Sequence, residues 1–407
     1  MNITSNYIAR LATLSTGILI SQIISFLLTA VISQQYTVLQ FAELGIYISL
    51  LATLLPLMSL AYENTIMIEN DDKKIHAFNQ SSLLSFYIFL LISVLFIAIS
   101  YLFKTKPIYL LLPLHLLADT INNYLRNLYL TQNKTVLISS NKIVSTLISC
   151  LVPIIFYYVS KEINFIIIGM LASSLLNVFI NLALNRRTIL TTNLKLEKDF
   201  FVQHKKFPIY IATSSIINTF SKNIFILALP YWIIEAEIGQ LTHALKIISA
   251  PLFILSTSIG DLYFTNLSKT KNESNLKQKL DTFTLTILSI LIIPLLVYLI
   301  YSTEIYVFIF SEKWKIAAVL TPIIAIWGLS FTLTTPVSYI PDVIDCHQQL
   351  LNYSIIALAI RSGFVFSCYY FMQNIYTSTF IFYAISILLN FMFYLYFRNF
   401  LDLKKLK

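Results

Sequence analysis

Charge is scarce in this sequence. Asp, Glu, Lys and Arg make up 12% of the 407 residues, whereas a soluble domain carries about 25%. A core of this size needs more polar surface than that to face water, so a soluble enzyme or binding domain is excluded. Glycine is rarer still, with seven residues, and close G-x-x-x-G packing is therefore not a general theme. The three cysteines, Cys150, Cys346 and Cys368, show no metal-ligand spacing and lie too far apart to suggest a disulfide framework. They read as small apolar fillers. There is no phosphate loop of the G-x-x-x-x-G-K-[ST] kind, no H-E-x-x-H and no G-x-S-x-G elbow, which removes the usual signatures of nucleotide binding, zinc hydrolysis and serine hydrolysis. The five histidines are scattered. No cofactor, metal site or enzymatic activity is expected.

What the sequence has in abundance is apolar length. Hydrophobic residues make up 57% of it and the mean hydropathy is +0.76. Runs of about 20 apolar residues, enough to span a hydrocarbon core, occur at 9–32, 43–62, 83–103, 108–130, 135–159, 163–184, 208–232, 239–263, 281–302, 318–340, 350–372 and 376–397. The fourth, fifth, seventh and eighth are the most polar. The first, from Leu11 to Ile32, is as long as the others and lacks a small-residue cleavage site, so it reads as a span rather than a leader.

The net charge of +9 reflects basic loops and does not point to nucleic acid. With the N-terminus placed in the cytoplasm, eighteen Lys and Arg fall in cytoplasmic segments and five in external loops. The positive-inside rule then puts both termini in the cytoplasm. The longest polar stretch divides the chain into a six-helix bundle at 1–184, a cytoplasmic linker at 185–207 and a second six-helix bundle at 208–407. Glu43-Leu44-Gly45 with Leu55-Pro56-Leu57 is echoed by Glu237-Ile238-Gly239 with Ala250-Pro251-Leu252. Parallel repeats of this kind pack about an axis along the membrane normal, with the substrate site between them. The expected fold is an all-α membrane protein of about twelve transmembrane helices in two six-helix bundles around a central cavity.

Charges inside the spans are the candidates for function. Lys222, Lys246, Arg361, Arg126, Lys142, Asp119 and Asp261 all fall there, and each costs roughly 2.5–3.5 kcal/mol if exposed to lipid near the bilayer centre. Polar neighbours recur at helical spacing beside them: Asp119, Asn122, Asn123 and Arg126; Ser139, Lys142, Ser145, Thr146 and Ser149; Ser215, Asn218 and Lys222; Thr242, Lys246, Ser249 and Ser256. These stripes suggest a water-filled cavity lined by Lys222, Lys246 and Arg361, with Arg126 and Lys142 near its cytoplasmic mouth and Asp119 as a further cavity residue. The plain alternatives are snorkelling of Arg126 and Lys142 to headgroups, an Asp119–Arg126 pair, and an interfacial place for Asp261. Ser and Thr within spans often serve only to bond one helix to another.

One stretch has a recognisable pattern. Phe41-Ala42-Glu43-Leu44-Gly45-Ile46-Tyr47 opens the second span, Tyr62-Glu63-Asn64 closes it, and Glu69-Asn70-Asp71-Asp72-Lys73-Lys74 follows. Phe207-Pro208 and Phe310-Ser311-Glu312-Lys313-Trp314 add to it. The pattern resembles the Wzx-type polysaccharide flippases of the multidrug/oligosaccharidyl-lipid/polysaccharide exporter superfamily, with Ala42 and Ala61 where that family has Gly and Arg. The resemblance implies translocation of an undecaprenyl-diphosphate-linked oligosaccharide, such as an O-antigen or capsule repeat unit, across the bacterial inner membrane by alternating access. Its implied partners are membrane lipid, that lipid-linked glycan, and a glycan polymerase and chain-length proteins, with no nucleic acid. A cation-coupled drug or metabolite antiporter of the same superfamily is the main alternative. A membrane polysaccharide polymerase fits less well, because no large external loop is present to hold catalytic residues.

Overall fold

The computed structural model describes residues 2–70, 72–184, 195–249, 252, 256, 276–338, 340–341 and 346–403. Asp261, Pro251, Asp71 and the basic residues Arg186, Arg187, Lys269, Lys271, Lys404, Lys405 and Lys407 lie outside them. Twelve long helices run through the described residues: α1 (Asn2–Gln35), α2 (Val38–Ser59), α3 (Lys74–Phe103), α4 (Leu112–Thr131), α5 (Thr135–Phe156), α6 (Phe165–Leu184), α7 (Thr213–Ala228), α8 (235–249), α9 (Leu276–Phe310), α10 (Lys315–Ser338), α11 (His347–Phe371) and α12 (Ile375–Leu403). No strand occurs among these residues. In hydrocarbon every backbone N–H and C=O must be satisfied within the protein, and a helix does this within one segment. The same setting tolerates proline inside α2, α5, α9 and α10 (Pro56, Pro153, Pro294, Pro322 and Pro336).

Each of the twelve expected spans overlaps one of these helices, and most of the eighth beyond residue 249 lies outside the described residues. Nine of the described helices are long and apolar enough to cross a membrane. The three that fall short are α4, α7 and α8, all on spans expected to be among the most polar. α4 has the length but carries Asp119, Asn122, Asn123 and Arg126. α7 is short and begins with a π-helical turn, Phe207–Ala212. α8 is described only to residue 249.

The chain divides into two compact units. The first contains Met1–Tyr36 and Ile46–Asn223, the second Thr37–Gly45 and Ile224–Lys407. This division differs from a linear split at 185–207: α2 begins in the second unit and continues in the first, and α7 does the reverse.

In the first unit α1 packs on α5, α5 on α6, and α4 on α3 and α6. Small residues allow the close approaches: a Cβ on Gly17 would lie 2.4 Å from that of Ser139, whose hydroxyl donates to the Thr13 carbonyl at 2.8 Å. At one end the turn after α2, with Leu60 and Ala61 both at positive φ, delivers Tyr62 into a core with Phe78, Tyr124, Leu128 and Phe200. Gln80 of α3 holds the segment before Phe200, donating to the Lys195 carbonyl at 2.8 Å and accepting from the Glu197 N–H at 3.0 Å. The expected linker therefore contains a short docked helix, Lys198–Gln203.

In the second unit α10 lies between α9 and α12, and α11 packs on α12. The two echoed motifs meet here. A Cβ on Gly45 would fall 1.9 Å from Thr242 Oγ1, and one on Gly239 would fall 1.9 Å from the Val38 carbonyl oxygen. Only glycine permits these approaches. Large apolar side chains such as Leu91 and Val94 on α3, Ile290 and Ile293 on α9 and Phe391 on α12 face outward, as a hydrocarbon surrounding requires.

Candidate functional site

Three of the six expected site residues come together in the first unit. α4 and α5 are joined by a short turn with Asn133 at positive φ, and Arg126 and Lys142 stand on either side of it, both with exposed side chains. Lys142 lies within electrostatic reach of both Asp119 and Arg126. Asp119 does not pair with Arg126. Ser174 of α6 donates to its Oδ1 at 2.5 Å, and His115, one turn earlier on α4, brings Nε2 to 3.7 Å from its Oδ2.

His115 extends this cluster inward. Its side chain is 2% exposed. Its Nδ1 lies 3.1 Å from the Tyr47 hydroxyl of α2, and its Nε2 lies 3.5 Å from Ser174 Oγ. Asn122 donates to the Ser174 carbonyl at 3.0 Å and fixes α6 against α4. A continuous set of polar groups thus runs from Tyr47 through His115 and Ser174 to Asp119. The sequence pattern missed His115, Ser174 and Tyr47. The signal for one was present: His115, Asp119, Asn122 and Arg126 sit at i, i+4, i+7 and i+11, a single helical face.

Of the other three expected residues, one belongs to the first unit and two to the second. Lys222 belongs to the first unit and is half-buried on α7. Lys246, on α8 of the second unit, sets its ammonium 5.8 Å from the centre of the Phe41 ring, a cation–π distance. Arg361 is 3% exposed, and its Nε donates to Ser386 Oγ of α12 at 3.1 Å, with Tyr353 and Tyr383 nearby. The guanidinium is enclosed inside the second unit and linked to α12 through Ser386.

Several hydroxyls of the polar stripes serve local needs. Thr146 donates to the Lys142 carbonyl and Ser149 to that of Thr146, the back-bonding that lets Ser and Thr sit in a helix. An open groove of about 480 Å³ along α9, lined by Gln278, Lys279, Thr282, Phe283 and Thr286, touches none of the six residues. Among the described residues no group of three His, Cys, Asp or Glu could hold a metal ion.

A family model described as polysaccharide biosynthesis protein matches residues 62–319, more than half of the chain. The chain belongs to the polysaccharide biosynthesis protein family. The family match spans Tyr62-Glu63-Asn64, the α4–α5 cluster, Lys222 and Lys246, while Arg361 falls beyond it. The fold is that of MOP superfamily transporters. It is similar to a MOP superfamily transporter from Pyrococcus furiosus (TM-score 0.68, 13% identity, covering 97% of this chain and 95% of that one). It is also similar to a MATE protein in complex with MaL6 (TM-score 0.67, 13% identity, 98% and 97% covered), and to the lipid II flippase MurJ in an inward closed conformation (TM-score 0.65, 14% identity, 93% and 86% covered). No curated protein matches the sequence. This family member is a multi-pass membrane protein with a transporter fold.

Proposed function

We propose that the protein moves a polyprenyl-diphosphate-linked oligosaccharide, an O-antigen or capsule repeat unit, across the bacterial inner membrane, with both termini in the cytoplasm. The observation that carries this reading is the pair of exposed cations, Arg126 and Lys142, flanking the α4–α5 turn, with the carboxylate of Asp119 within electrostatic reach of Lys142. Two cations at membrane depth call for an anion. A diphosphate headgroup supplies one, while its lipid tail remains in the hydrocarbon and its sugars remain in water. Membership of a polysaccharide biosynthesis family supports this substrate class, as does the likeness in fold to a lipid II flippase. Alternating exposure of the site to either side of the membrane would complete the transfer. Lys222 and Lys246 are assigned to the path on their polar helix faces. Arg361 is assigned to holding α11 against α12. A glycan polymerase and chain-length proteins would act on the product.

The test measures surface glycan and membrane-inserted protein in the same cells. Arg126→Ala and Lys142→Ala abolish export at normal protein level, Arg126→Lys retains part of it, and Arg361→Ala chiefly lowers the amount of protein. Normal export by both Arg126→Ala and Lys142→Ala at normal protein level overturns the assignment. The antiporter alternative draws on Asp119, but cations outnumber it at the site.

A further inference from the structure

Asp119 has two neighbourhoods. On one side are the cations assigned above to an anionic headgroup; on the other is a buried imidazole with its own hydrogen-bonded partners. With Ser174 donating its only proton to Asp119 Oδ1, Ser174 Oγ can accept from His115 Nε2–H, and His115 Nδ1 then accepts from the Tyr47 hydroxyl. Every donor in that arrangement has an acceptor. A proton added to the set neutralises Asp119 or charges His115. Either change alters the field at Lys142, which lies within reach of Asp119.

From this geometry we infer that the His115–Asp119 pair is a proton-binding site coupled to anion binding at Arg126 and Lys142. The inference rests on the headgroup reading above and adds to it what loads the site. With Asp119 ionised, the two cations and one carboxylate leave a single net positive charge. With one proton added, they present two, which matches the two negative charges of a diphosphate diester. Proton and anion therefore favour one another's binding, and the linkage is reciprocal. The groups acting on the pair come from the elements packed about it: Tyr47 of α2, Lys142 of α5 and Ser174 of α6, with Arg126 of α4 acting in turn on Lys142. Among the described residues, no ionisable side chain of α3 hydrogen-bonds or ion-pairs with His115 or Asp119.

Two measurements on purified full-length protein in detergent test the coupling. The first is pH-difference infrared spectroscopy with no ligand. Wild-type protein shows a carboxylic-acid carbonyl band that titrates and that is absent from Asp119→Asn. If no such band is lost in the variant, the proton site is overturned whatever the protein transports. The second is calorimetric titration with farnesyl diphosphate in buffers of different ionisation heat. Wild-type protein takes up protons on binding. Asp119→Asn takes up none and binds about tenfold tighter at the alkaline end, the usual order of a coupling between sites. Asparagine keeps the acceptor for Ser174, so the fold is retained. Equal proton uptake by wild type and variant overturns the coupling. Failure of farnesyl diphosphate to bind wild-type protein at any pH overturns the headgroup reading instead, and the infrared band then decides the proton site alone.

Discussion

His115 in the first unit and His243 in the second are both buried, and both bond a ring nitrogen to a tyrosine hydroxyl, Tyr47 and Tyr306 respectively. Their surroundings differ in kind. His243 stacks on Trp314 with ring centres 3.8 Å apart and planes at 14°, and Phe41 and Phe310 meet it edge-on at 5.0 Å each. It is enclosed by rings and works as a flat wedge in an aromatic nest. His115 has the carboxylate of Asp119 and the hydroxyl of Ser174 beside it. The same side chain is set among rings in one unit and beside a carboxylate and a hydroxyl in the other. In a buried site, what an imidazole does is decided by whether a carboxylate shares its space.

The largest expected effect is in the aromatic nest. Trp314 is fully buried and touches both His243 and Phe41. Trp314→Ala should destabilise the protein by about 3–5 kcal/mol, the usual range for emptying a large aromatic site. Thermal unfolding in detergent reads this. His243→Phe, which keeps a flat ring, should recover most of the stability lost by His243→Ala. If it does not, His243 is more than a wedge and the contrast with His115 fails.

The nest is closed by the glycine crossing at the echoed motifs. Gly239→Ala drives a methyl group to 1.9 Å from the Val38 carbonyl oxygen, which belongs to the backbone leading into Phe41. About 1–3 kcal/mol of stability should be lost, as for other overpacked sites. Gly363 on α11 has nothing within 4 Å of its would-be Cβ. Gly363→Ala should instead be neutral or gain up to about 1 kcal/mol from helix propensity. Equal losses at both positions would mean that the crossing is not what holds the nest.

The first unit has its own buried carboxyl outside the spans. Glu63, in the 3₁₀ turn after α2, has its carboxyl raised above the ordinary glutamate value by burial, against the lowering hydrogen bonds of its own backbone and Ser59. Its Oε2 is buried without a partner. A raised value in the folded state means that folding binds the proton more tightly. The stability linked to it is therefore present below the unfolded value and lost as pH rises through the folded one. Glu63→Gln should flatten that dependence and stabilise the protein at neutral pH by about 1 kcal/mol, the scale of a typical single substitution. Unfolding temperature followed across pH for both proteins checks this. A wild-type profile that rises with pH through the same range would overturn it.

Length and apolarity made the membrane helices legible, because a span of about 20 apolar residues in a bilayer has few alternatives to a helix. Those signals also located the least apolar helices, α4, α7 and α8. Burial within a unit was not legible. Arg361 and Lys142 look alike as basic residues in apolar runs, yet one is packed against Ser386 and the other is open. Which face of a span meets its neighbours is set by residues far away in the chain. For the same reason Ser174, 55 residues after Asp119, could not be read as its partner, whereas His115, one turn away, could have been. The division of α2 and α7 between units is likewise a property of tertiary contacts and leaves no mark in local sequence.

The finest test of the comparison removes one oxygen from each unit. Tyr47→Phe and Tyr306→Phe each delete a hydroxyl bonded to a buried histidine and leave the ring in place. Each should cost about 0.5–1.5 kcal/mol, the net worth of one hydrogen bond, so stability alone will not tell them apart. Their effects on export should. Tyr306 belongs to the nest, so under the proposed function and the proposed proton coupling Tyr306→Phe should export glycan with the wild-type dependence on external pH. Tyr47 supplies the donor that holds His115 Nδ1 as an acceptor. Without it that nitrogen is free to take a proton of its own, and the balance between His115 and Asp119 moves. Tyr47→Phe should therefore shift the pH at which export is half-maximal while leaving membrane protein level near normal. Export assayed across external pH for wild type and both variants, with protein level measured in parallel, separates the cases. Shifts of the same size in both variants would show that the two histidines are alike after all, and that the carboxylate beside one of them does not set its role.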